Sequence, residues 1–354
     1  MAADLSGAGH EVRIYDLPEF AWSIKPIVEK GGIDLIVKDN LGEEQVAAAG
    51  TKSGFVRVSK ATTDVEEAVR GVEVILIVVP SFGQMTFVQK IAPHLEDGQV
   101  ILFQPGNFAS LEAFRMLKGK DVILADAESM IYASRITKPG GVWIKESKRS
   151  LKVAALPAAK TPEVLSKVRV LYPQIEAAQN ILDTGIHNIN FINHPASVVM
   201  NVVNIENLGA YEYSAYDVTP AMGRVMEAVD QERMSVAQAF QVKPEPAKEI
   251  LKRFYGAQGN NIYEALRDCR AYKVMKAPKD TKDRYVSEDI PYGYVPLSEL
   301  GQKAGVKTST IDGMIALASA MNATDYRSTG RRLDRLGIAE MSVQDIVKYV
   351  NEGG

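Results

Sequence analysis

The chain has 354 residues, of which 46% are hydrophobic and 24% are charged, and this length favours two domains over one. Its net charge of −3 offers no basic surface for a nucleic acid and no polybasic membrane anchor. The longest apolar run, VILIVV at 74–79, is far shorter than the roughly 18 residues of a membrane span. With a single cysteine, Cys269, and no signal-peptide pattern, the composition predicts a cytoplasmic protein without an internal disulfide.

Residues 1–16, MAADLSGAGHEVRIYD, have the order of a helix, a turn and a strand that ends in an acid, Asp16. In a dinucleotide-binding fold a first strand and a glycine loop precede such a helix, and the acid binds the adenosine ribose. The glycines at 7–9 precede the strand and open no helix, so they are typical of a helix C-cap and its turn. We therefore expect the first strand and the glycine loop upstream of Met1. The alternative is a degenerate domain that has lost its cofactor.

Short apolar strands alternate with helical stretches along the first half of the chain. A helix is predicted over 61–71, with Thr63 as N-cap and Glu66 completing a capping box. Strands are predicted at 11–16, 72–80, 98–107, 120–128 and 151–157. This alternation predicts an α/β fold, a doubly wound Rossmann-type parallel sheet that lacks its first strand, over residues 1–185.

The pattern changes beyond a short hinge near residue 185. Apolar residues now recur at intervals of three to four, which is the period of an amphipathic helix. The stretches with this period are 193–213, 219–240, 244–256 and 309–323. Residues 186–354 are therefore predicted to form an all-helical second domain.

Two features of the first domain point to a dinucleotide cofactor. Asp16 favours NAD, because no arginine follows closely to bind a 2′-phosphate, although NADP is not excluded. The turn VVPSFGQ at 78–84 ends a strand where the nicotinamide half of the cofactor binds in such folds. We assign cofactor contacts there to Val79, Pro80, Ser81 and Gln84. An ordinary strand-to-helix loop would account for the same residues.

Two stretches of the second domain carry candidate catalytic side chains. His194 lies just before Pro195, where proline favours the first turn of a helix, so the imidazole is predicted at a helix start. A polar helix cap is the simpler interpretation of that histidine. The segment DRYVSEDIPYGYVPLSELG at 283–301 brings Arg284, Glu288 and Asp289 close together in sequence. Taken alone, it reads as a charged surface loop.

Together the two stretches resemble the opine dehydrogenases, the octopine/nopaline dehydrogenase family. Further similarity lies in VEVILIVVP (72–80), QPGN (104–107), AESMIYASRITKPG (127–140) and TDYRSTGRRLDRLGI (324–338), which span nearly the whole chain. The resemblance implies an NADH- or NADPH-dependent condensation of a 2-oxo acid such as pyruvate with the amino group of an L-amino acid. It leaves the oligomeric state open, a homodimer included.

The resemblance also implies roles for individual residues. His194 is expected to be the general acid/base, Asp289 the carboxylate that orients and charges it, and Arg284 the group near the oxo-acid carboxylate. An imidazolium supplies protons near neutral pH, and a guanidinium binds a carboxylate with two hydrogen bonds, so these residue types suit the reaction. Substrate contacts are expected from Gln104, Glu128 and Arg135, and cofactor contacts from Pro105 and Gly106. No metal ligand is predicted.

Other interpretations stay open at this point. Glu128 could instead form a salt bridge with Arg135. A 2- or 3-hydroxyacid dehydrogenase of similar build would use a helical lysine, but the helix after 188 offers His194 and Asn201 without one. A cofactor-free binding or regulatory protein has no need of a proton relay. Three tyrosines are candidates for the amino-acid pocket, although their spacing cannot place them on a single helix face: Tyr211, Tyr213 and Tyr216.

Overall fold

The computed structural model describes residues 1–208, 218–272 and 278–353. The strands are β1 Arg13–Tyr15, β2 Gly32–Val37, β3 Gly54–Arg57, β4 Lys60–Thr62, β5 Val74–Ile77, β6 Val100–Phe103, β7 Ile123–Ala127, β8 Tyr132–Lys138, β9 Gly141–Ser147, β10 Leu151–Leu156 and β11 Ile175–Ala177. The helices up to residue 208 are α1 Ala2–Gly7, α2 Ala21–Lys30, α3 Val65–Val69, α4 Ser81–Ile91, α5 Ala109–Met116, α6 Thr161–Val168, α7 Ile181–Ile186, α8 Asn190–Val199 and α9 Val202–Leu208. Those beyond it are α10 Pro220–Ala239, α11 Ala247–Tyr255, α12 Ile262–Asp268, α13 Arg284–Ser287, α14 Val295–Lys303, α15 Ser309–Asn322, α16 Tyr326–Thr329 and α17 Val343–Glu352.

A five-stranded sheet in the order β11-β10-β7-β6-β5 forms the centre of the first half. Strand β6 is buried along its whole length, and its alternate side chains enter two different apolar clusters, so both faces of the sheet are covered. The α/β class with a Rossmann-like parallel sheet and a helical C-terminal region is thereby confirmed. One detail was wrong: β10 pairs antiparallel with β7, so the sheet is mixed.

Strand β1 pairs in parallel with β4, with Arg13 opposite Lys60 and Tyr15 opposite Thr62. Within the described residues neither strand joins the five-stranded sheet, whose edge strand β5 pairs only with β6. The predicted helix end at 7–9 is confirmed, because α1 ends at Gly7 and Gly9 has a φ of +97°, a conformation that favours glycine. The expected upstream strand stays a prediction.

A second, four-stranded sheet in the order β3-β2-β9-β8 was not predicted. Helix α1 packs against it through the buried carboxylate of Asp4. That carboxylate accepts hydrogen bonds from the Ala49 N–H at 2.7 Å and the Tyr132 hydroxyl at 2.5 Å. Strands β8 and β9 form a tight hairpin, but β2 pairs with β9 from a distant part of the chain, and no local pattern in the sequence indicates that pairing.

The helical region confirms the long amphipathic stretches but corrects two helix starts. Asp64, not Thr63, caps α3, because the Asp64 carboxylate accepts from the Glu66 and Glu67 N–H groups and Thr62 pairs in β4. Helix α8 begins at Asn190, so His194 and Pro195 lie inside it rather than at its start. None of the described helices is long and apolar enough to cross a bilayer.

The boundary at residues 185 and 186 stays a prediction. The largest apolar cluster contains Phe108 and Leu156 from the first half together with Ile186, Met226 and Val229 from the second. The two parts therefore share a continuous core at this point.

A buried arginine near the end of the chain ties it to the sheet. The Arg331 guanidinium is fully buried and pairs with Glu112, with 2.8 Å between Nε and the carboxylate. It also donates to the carbonyl of Asn107 at 2.6 Å and to the side-chain oxygen of Gln84 at 3.0 Å. Because these acceptors follow β5 and β6, Arg331 connects the residues after α16 to the carboxyl ends of both strands.

We expect Arg331→Ala to lower the free energy of unfolding by about 3–5 kcal/mol, because it leaves the buried Asn107 carbonyl and Gln84 side-chain oxygen without this donor and removes a buried charge from the Glu112 carboxylate. Urea unfolding followed by circular dichroism measures the change. The matched control is Arg332→Ala, which removes an exposed ion pair with Glu299 and should change the free energy by less than about 1 kcal/mol. Equal effects of the two changes would contradict this role of Arg331.

Candidate active site

A cavity of about 560 Å³ opens where the carboxyl ends of β5 and β6 face the helical region. Parallel sheets of this kind place their ligands at the carboxyl ends of the strands. Of the predicted site residues, the structure brings together at this cavity Val79, Pro80, Gln104, Pro105, Arg135, His194, Arg284 and Asp289. The three predicted catalytic residues, His194, Arg284 and Asp289, therefore line the same cavity as part of the predicted cofactor turn.

His194 projects from α8 and is held by Asp289, which follows α13. The imidazole Nδ1 lies 2.8 Å from the Asp289 carboxylate. Burial raises the pKa of Asp289 above its usual value, and the nearby His194 opposes that rise. The Tyr285 ring stacks on the imidazole, with 3.6 Å between centroids and parallel planes. One imidazole nitrogen is therefore fixed by a buried carboxylate, and the other has no hydrogen-bond partner among the described residues.

Arg284 lies on α13 and forms an ion pair with Glu288 one helical turn later, with 2.9 Å between Nε and the carboxylate. Its side chain is 63% exposed, and Glu288 and neighbouring acids raise its pKa although burial opposes them. The other Glu288 oxygen accepts from the N–H and the hydroxyl of Ser81, at 2.8 and 2.9 Å. Glu288 thus joins the predicted cofactor turn to the arginine.

The predicted roles of Glu128 need correction. Its carboxylate is fully buried and makes two hydrogen bonds of 2.8 Å with the Arg253 guanidinium, and a third with the Lys152 N–H. It does not line the cavity, and its partner is Arg253 rather than Arg135. Arg135 does line the cavity, and its guanidinium limits the rise that burial causes in the pKa of Tyr285.

Three predicted cofactor residues lie behind the cavity wall instead of on it. The Gln84 amide donates to the Pro105 carbonyl and accepts from Arg331, so neither end is free for a cofactor. Gly106 packs so closely against Asp126 that a Cβ would lie 2.3 Å from its side chain. Ser81 is engaged by Glu288. These residues shape the strand ends, and their cofactor contacts stay predictions.

The remaining wall fits a nicotinamide group. The Gln104 side chain is fully buried at the cavity, and neither its amide oxygen nor its nitrogen has a partner among the described residues. Buried amides normally have hydrogen-bond partners, and a ligand that both donates and accepts hydrogen bonds, as a carboxamide does, would satisfy this one. Asp16 follows β1, where its carboxylate accepts from the Leu17 N–H at 2.9 Å and from the Ser23 hydroxyl.

Sequence reasoning missed several residues of this cavity. Tyr285 and Glu288 stood in a recognised segment, but only the tertiary contacts show that one stacks on His194 and the other reaches Ser81. Lys145 and Lys148, in IKESK on and after β9, also line the cavity although both are buried, and no local signal in the sequence pointed to them. The three candidate tyrosines, Tyr211, Tyr213 and Tyr216, lie outside the described residues. No group of three metal-ligating side chains converges within the described part of the chain.

Comparison with known proteins places this site in a family. Residues 177–322 match the family model described as NAD/NADP octopine/nopaline dehydrogenase, alpha-helical domain. The chain is 32% identical to the opine dehydrogenase of Arthrobacter sp. (strain 1C) over 349 residues, which are 98% of this chain and 93% of that protein. The chain belongs to the opine dehydrogenase family. It is accordingly an NAD(P)-dependent oxidoreductase, and its cofactor is a nicotinamide dinucleotide.

More distant relatives agree with this assignment. The protein ocs of Agrobacterium tumefaciens (strain Ach5) is 26% identical over 293 residues, 81% of each chain. The solved structure of an octopine dehydrogenase in complex with NADH and agmatine superposes with a TM-score of 0.79 at 22% identity, covering 98% of this chain and 94% of that one. At this identity the structural likeness shows a shared fold.

We expect Asp289→Asn to lower turnover by about 10²–10⁴-fold, because an amide holds the imidazole in place but does not stabilise its charged form. Steady-state kinetics with NADH measures the loss, and circular dichroism checks the fold. A matched control is Asp183→Asn, which changes the carboxylate paired with a fully buried histidine, His187, and lies outside the cavity. Turnover close to wild type in Asp289→Asn would show that the pair has no catalytic role.

Proposed function

We propose that this protein condenses a 2-oxo acid such as pyruvate with the amino group of an L-amino acid and reduces the resulting imine, with His194, Asp289 and Arg284 as its catalytic groups. The observation that carries this proposal is the pair formed by His194 and the buried Asp289 on a cavity that the ends of β5 and β6 also line. This arrangement would bring a proton donor and a hydride site to the same substrate.

The nicotinamide end of the cofactor would be held by Val79, Pro80, Pro105 and the unpaired amide of Gln104. Asp16, at the carboxyl end of β1, would bind the adenosine ribose hydroxyls. When bound, the reduced nicotinamide supplies the hydride. The apolar side chains of this wall exclude water from the reacting carbon.

His194 would move the proton. When the amine adds to the carbonyl, the oxygen must leave as water, and the imidazolium donates the proton that this oxygen needs. Asp289 stabilises the imidazolium through the 2.8 Å contact at Nδ1, which leaves the opposite nitrogen for the substrate. In the reverse, oxidative direction the neutral imidazole accepts that proton.

Arg284 would bind the carboxylate of the oxo acid. Its Nε is occupied by Glu288, while its terminal nitrogens have no hydrogen-bond partner among the described residues and can donate to a carboxylate. Because Glu288 also binds Ser81, the guanidinium is linked to the strand end that would bear the hydride site.

The location and the assembly belong to this proposal as well. A cytoplasmic location is supported by the free, buried thiol of Cys269 and by the proposed use of NADH. The homodimer stays a prediction.

The decisive experiment follows NADH oxidation with pyruvate and a panel of L-amino acids, and identifies the product by mass spectrometry. We expect oxidation that depends on the amine and an N-(1-carboxyethyl) amino acid as product. Oxidation with the oxo acid alone would favour a hydroxyacid dehydrogenase, and no oxidation with any pair would contradict the proposed function.

We expect His194→Ala to lower turnover by about 10²–10⁴-fold with little change in NADH affinity, because the variant loses the proton donor but keeps the cofactor wall. Steady-state kinetics and NADH fluorescence titration separate the two effects. Wild-type turnover in this variant would remove His194 from the mechanism.

Replacing Arg284 with Met should raise KM for the oxo acid by about 10–100-fold, since a charge-assisted bond to a carboxylate contributes about 1.5–3 kcal/mol. The chain offers a closely matched control in Arg70→Met, because Arg70 forms the same type of ion pair, with Glu66, and is 64% exposed. Initial-rate kinetics at saturating amino acid should show no change in the control. Equal KM values for both variants would contradict oxo-acid binding by Arg284.

A further inference from the structure

The charged side chains that line the cavity are mostly cationic. Among the described residues, five fixed cations face three carboxylates. The cations are Arg135, Lys145, Lys148, Lys279 and Arg284, and the acids are Asp283, Glu288 and Asp289. A ligand of this cavity therefore meets an excess of positive charge.

The three carboxylates are engaged within the protein. Asp289 binds His194, and Glu288 binds Arg284 and Ser81. Asp283 caps α13 and accepts from the Tyr285 N–H at 3.1 Å. None of these contacts involves Lys148, so these three carboxylates do not neutralise its positive charge.

Lys148 is the most unusual of these cations. Its side chain is only 4% exposed, and its ammonium donates to the Met130 carbonyl at 2.5 Å and lies 4.9 Å from the centroid of the Phe254 ring. Burial lowers the pKa of Lys148 to about 8, although Glu128 opposes this. The Glu128 carboxylate is already paired with Arg253. It therefore does not fully neutralise the charge of the Lys148 ammonium.

Lys145 extends the same cationic surface. Strand pairing places Trp143 of β9 opposite Arg135 of β8, and Lys145 follows Trp143 by two residues. The pairing shifts by one residue at Lys145, and the Lys145 ammonium lies 4.6 Å from the centroid of the Trp143 ring. Arg135 and Lys145 of this hairpin both line the cavity.

The proposed condensation, on which this inference rests, brings two carboxylates into the cavity, one from each substrate. Arg284 and Arg135 suffice for those two. We propose that Lys148, assisted by Lys145, forms a subsite for a further carboxylate, so that one of the two preferred substrates is a dicarboxylate. This substrate is either an amino acid with an acidic side chain or a dicarboxylic 2-oxo acid.

The chemistry of the subsite explains its selectivity. An entering carboxylate supplies the missing counter-charge of Lys148, in surroundings that the Phe254 and Tyr255 rings keep dry. A neutral side chain leaves the buried ammonium unpaired. A cationic side chain, such as a guanidinium, adds repulsion between like charges.

Matched substrates test this directly, since glutamate and glutamine differ only in the carboxylate, and 2-oxoglutarate and 2-oxovalerate differ chiefly in it. We measure kcat/KM for glutamate and glutamine with pyruvate, and for the two oxo acids with alanine. In one of these two substrate pairs we expect kcat/KM for the acid to exceed kcat/KM for its neutral counterpart by about tenfold or more. This ratio agrees with a charged hydrogen bond of about 1.5–3 kcal/mol.

The variants identify the residue. Lys148→Met should lower kcat/KM for the preferred acid by about 10–100-fold and leave its neutral counterpart unchanged, and Lys145→Met should act in the same direction. Lys120→Met, an exposed lysine outside the cavity, matches the change in net charge and should alter neither value. Methionine preserves the length of the side chain and suits the apolar surroundings, and the unfolding midpoint checks the fold.

Three results would overturn the subsite. The first is turnover of neutral pairs without preference for the acid in either arm, which leaves the proposed function intact. The second is an equal loss for acid and neutral counterpart in Lys148→Met, which would assign Lys148 to a carboxylate common to both substrates. If no substrate pair is turned over, the proposed function fails. Calorimetric titration with glutamate and with 2-oxoglutarate then tests whether the subsite binds a dicarboxylate. Binding weakened by Lys148→Met supports it, and binding unaffected by that change is the third contradicting result.

Discussion

Two buried charged side chains, Glu288 and Arg331, hold the turn at Ser81, and the geometry of the cavity depends on that turn. Glu288 binds the N–H and the hydroxyl of Ser81, while Arg331 approaches its carbonyl and binds the Gln84 side chain. Both charges come from the helical region, and Ser81 begins the helix after β5. The strand end that would hold the nicotinamide is therefore fixed relative to the proposed catalytic side chains.

Burial shifts the pKa values of Asp289 and Lys148 in opposite directions, and the described residues pair only one of the two groups with an opposite charge. It raises the pKa of Asp289, and His194 provides the positive charge that stabilises the carboxylate. It lowers the pKa of Lys148, whose hydrogen bond goes to a neutral backbone carbonyl. The first group is compensated within the protein and suits proton transfer, whereas the second is compensated best by a negatively charged ligand.

Local signals predicted local structure well where no distant contact intervened. The strands in VILIVV and VILF and the turn at Gly9 follow from side-chain shape and from the φ values that glycine adopts. Glu128 illustrates the opposite case. Arg135 is close in sequence, but Arg253, 125 residues away, forms the ion pair because α11 brings it to the buried carboxylate after β7.

The sequence by itself determined the family, the α/β order of the first half and the helical second half, and it predicted His194, Arg284 and Asp289 as catalytic residues. Only the tertiary structure decided that His194 meets Asp289 across 95 residues and that Ser81 meets Glu288 across 207. It also decided that two lysines of a strand and its turn face the substrate cavity. The physical reason is that periodicity encodes which face of an element is apolar, whereas the choice of the element that packs against this face depends on the whole chain.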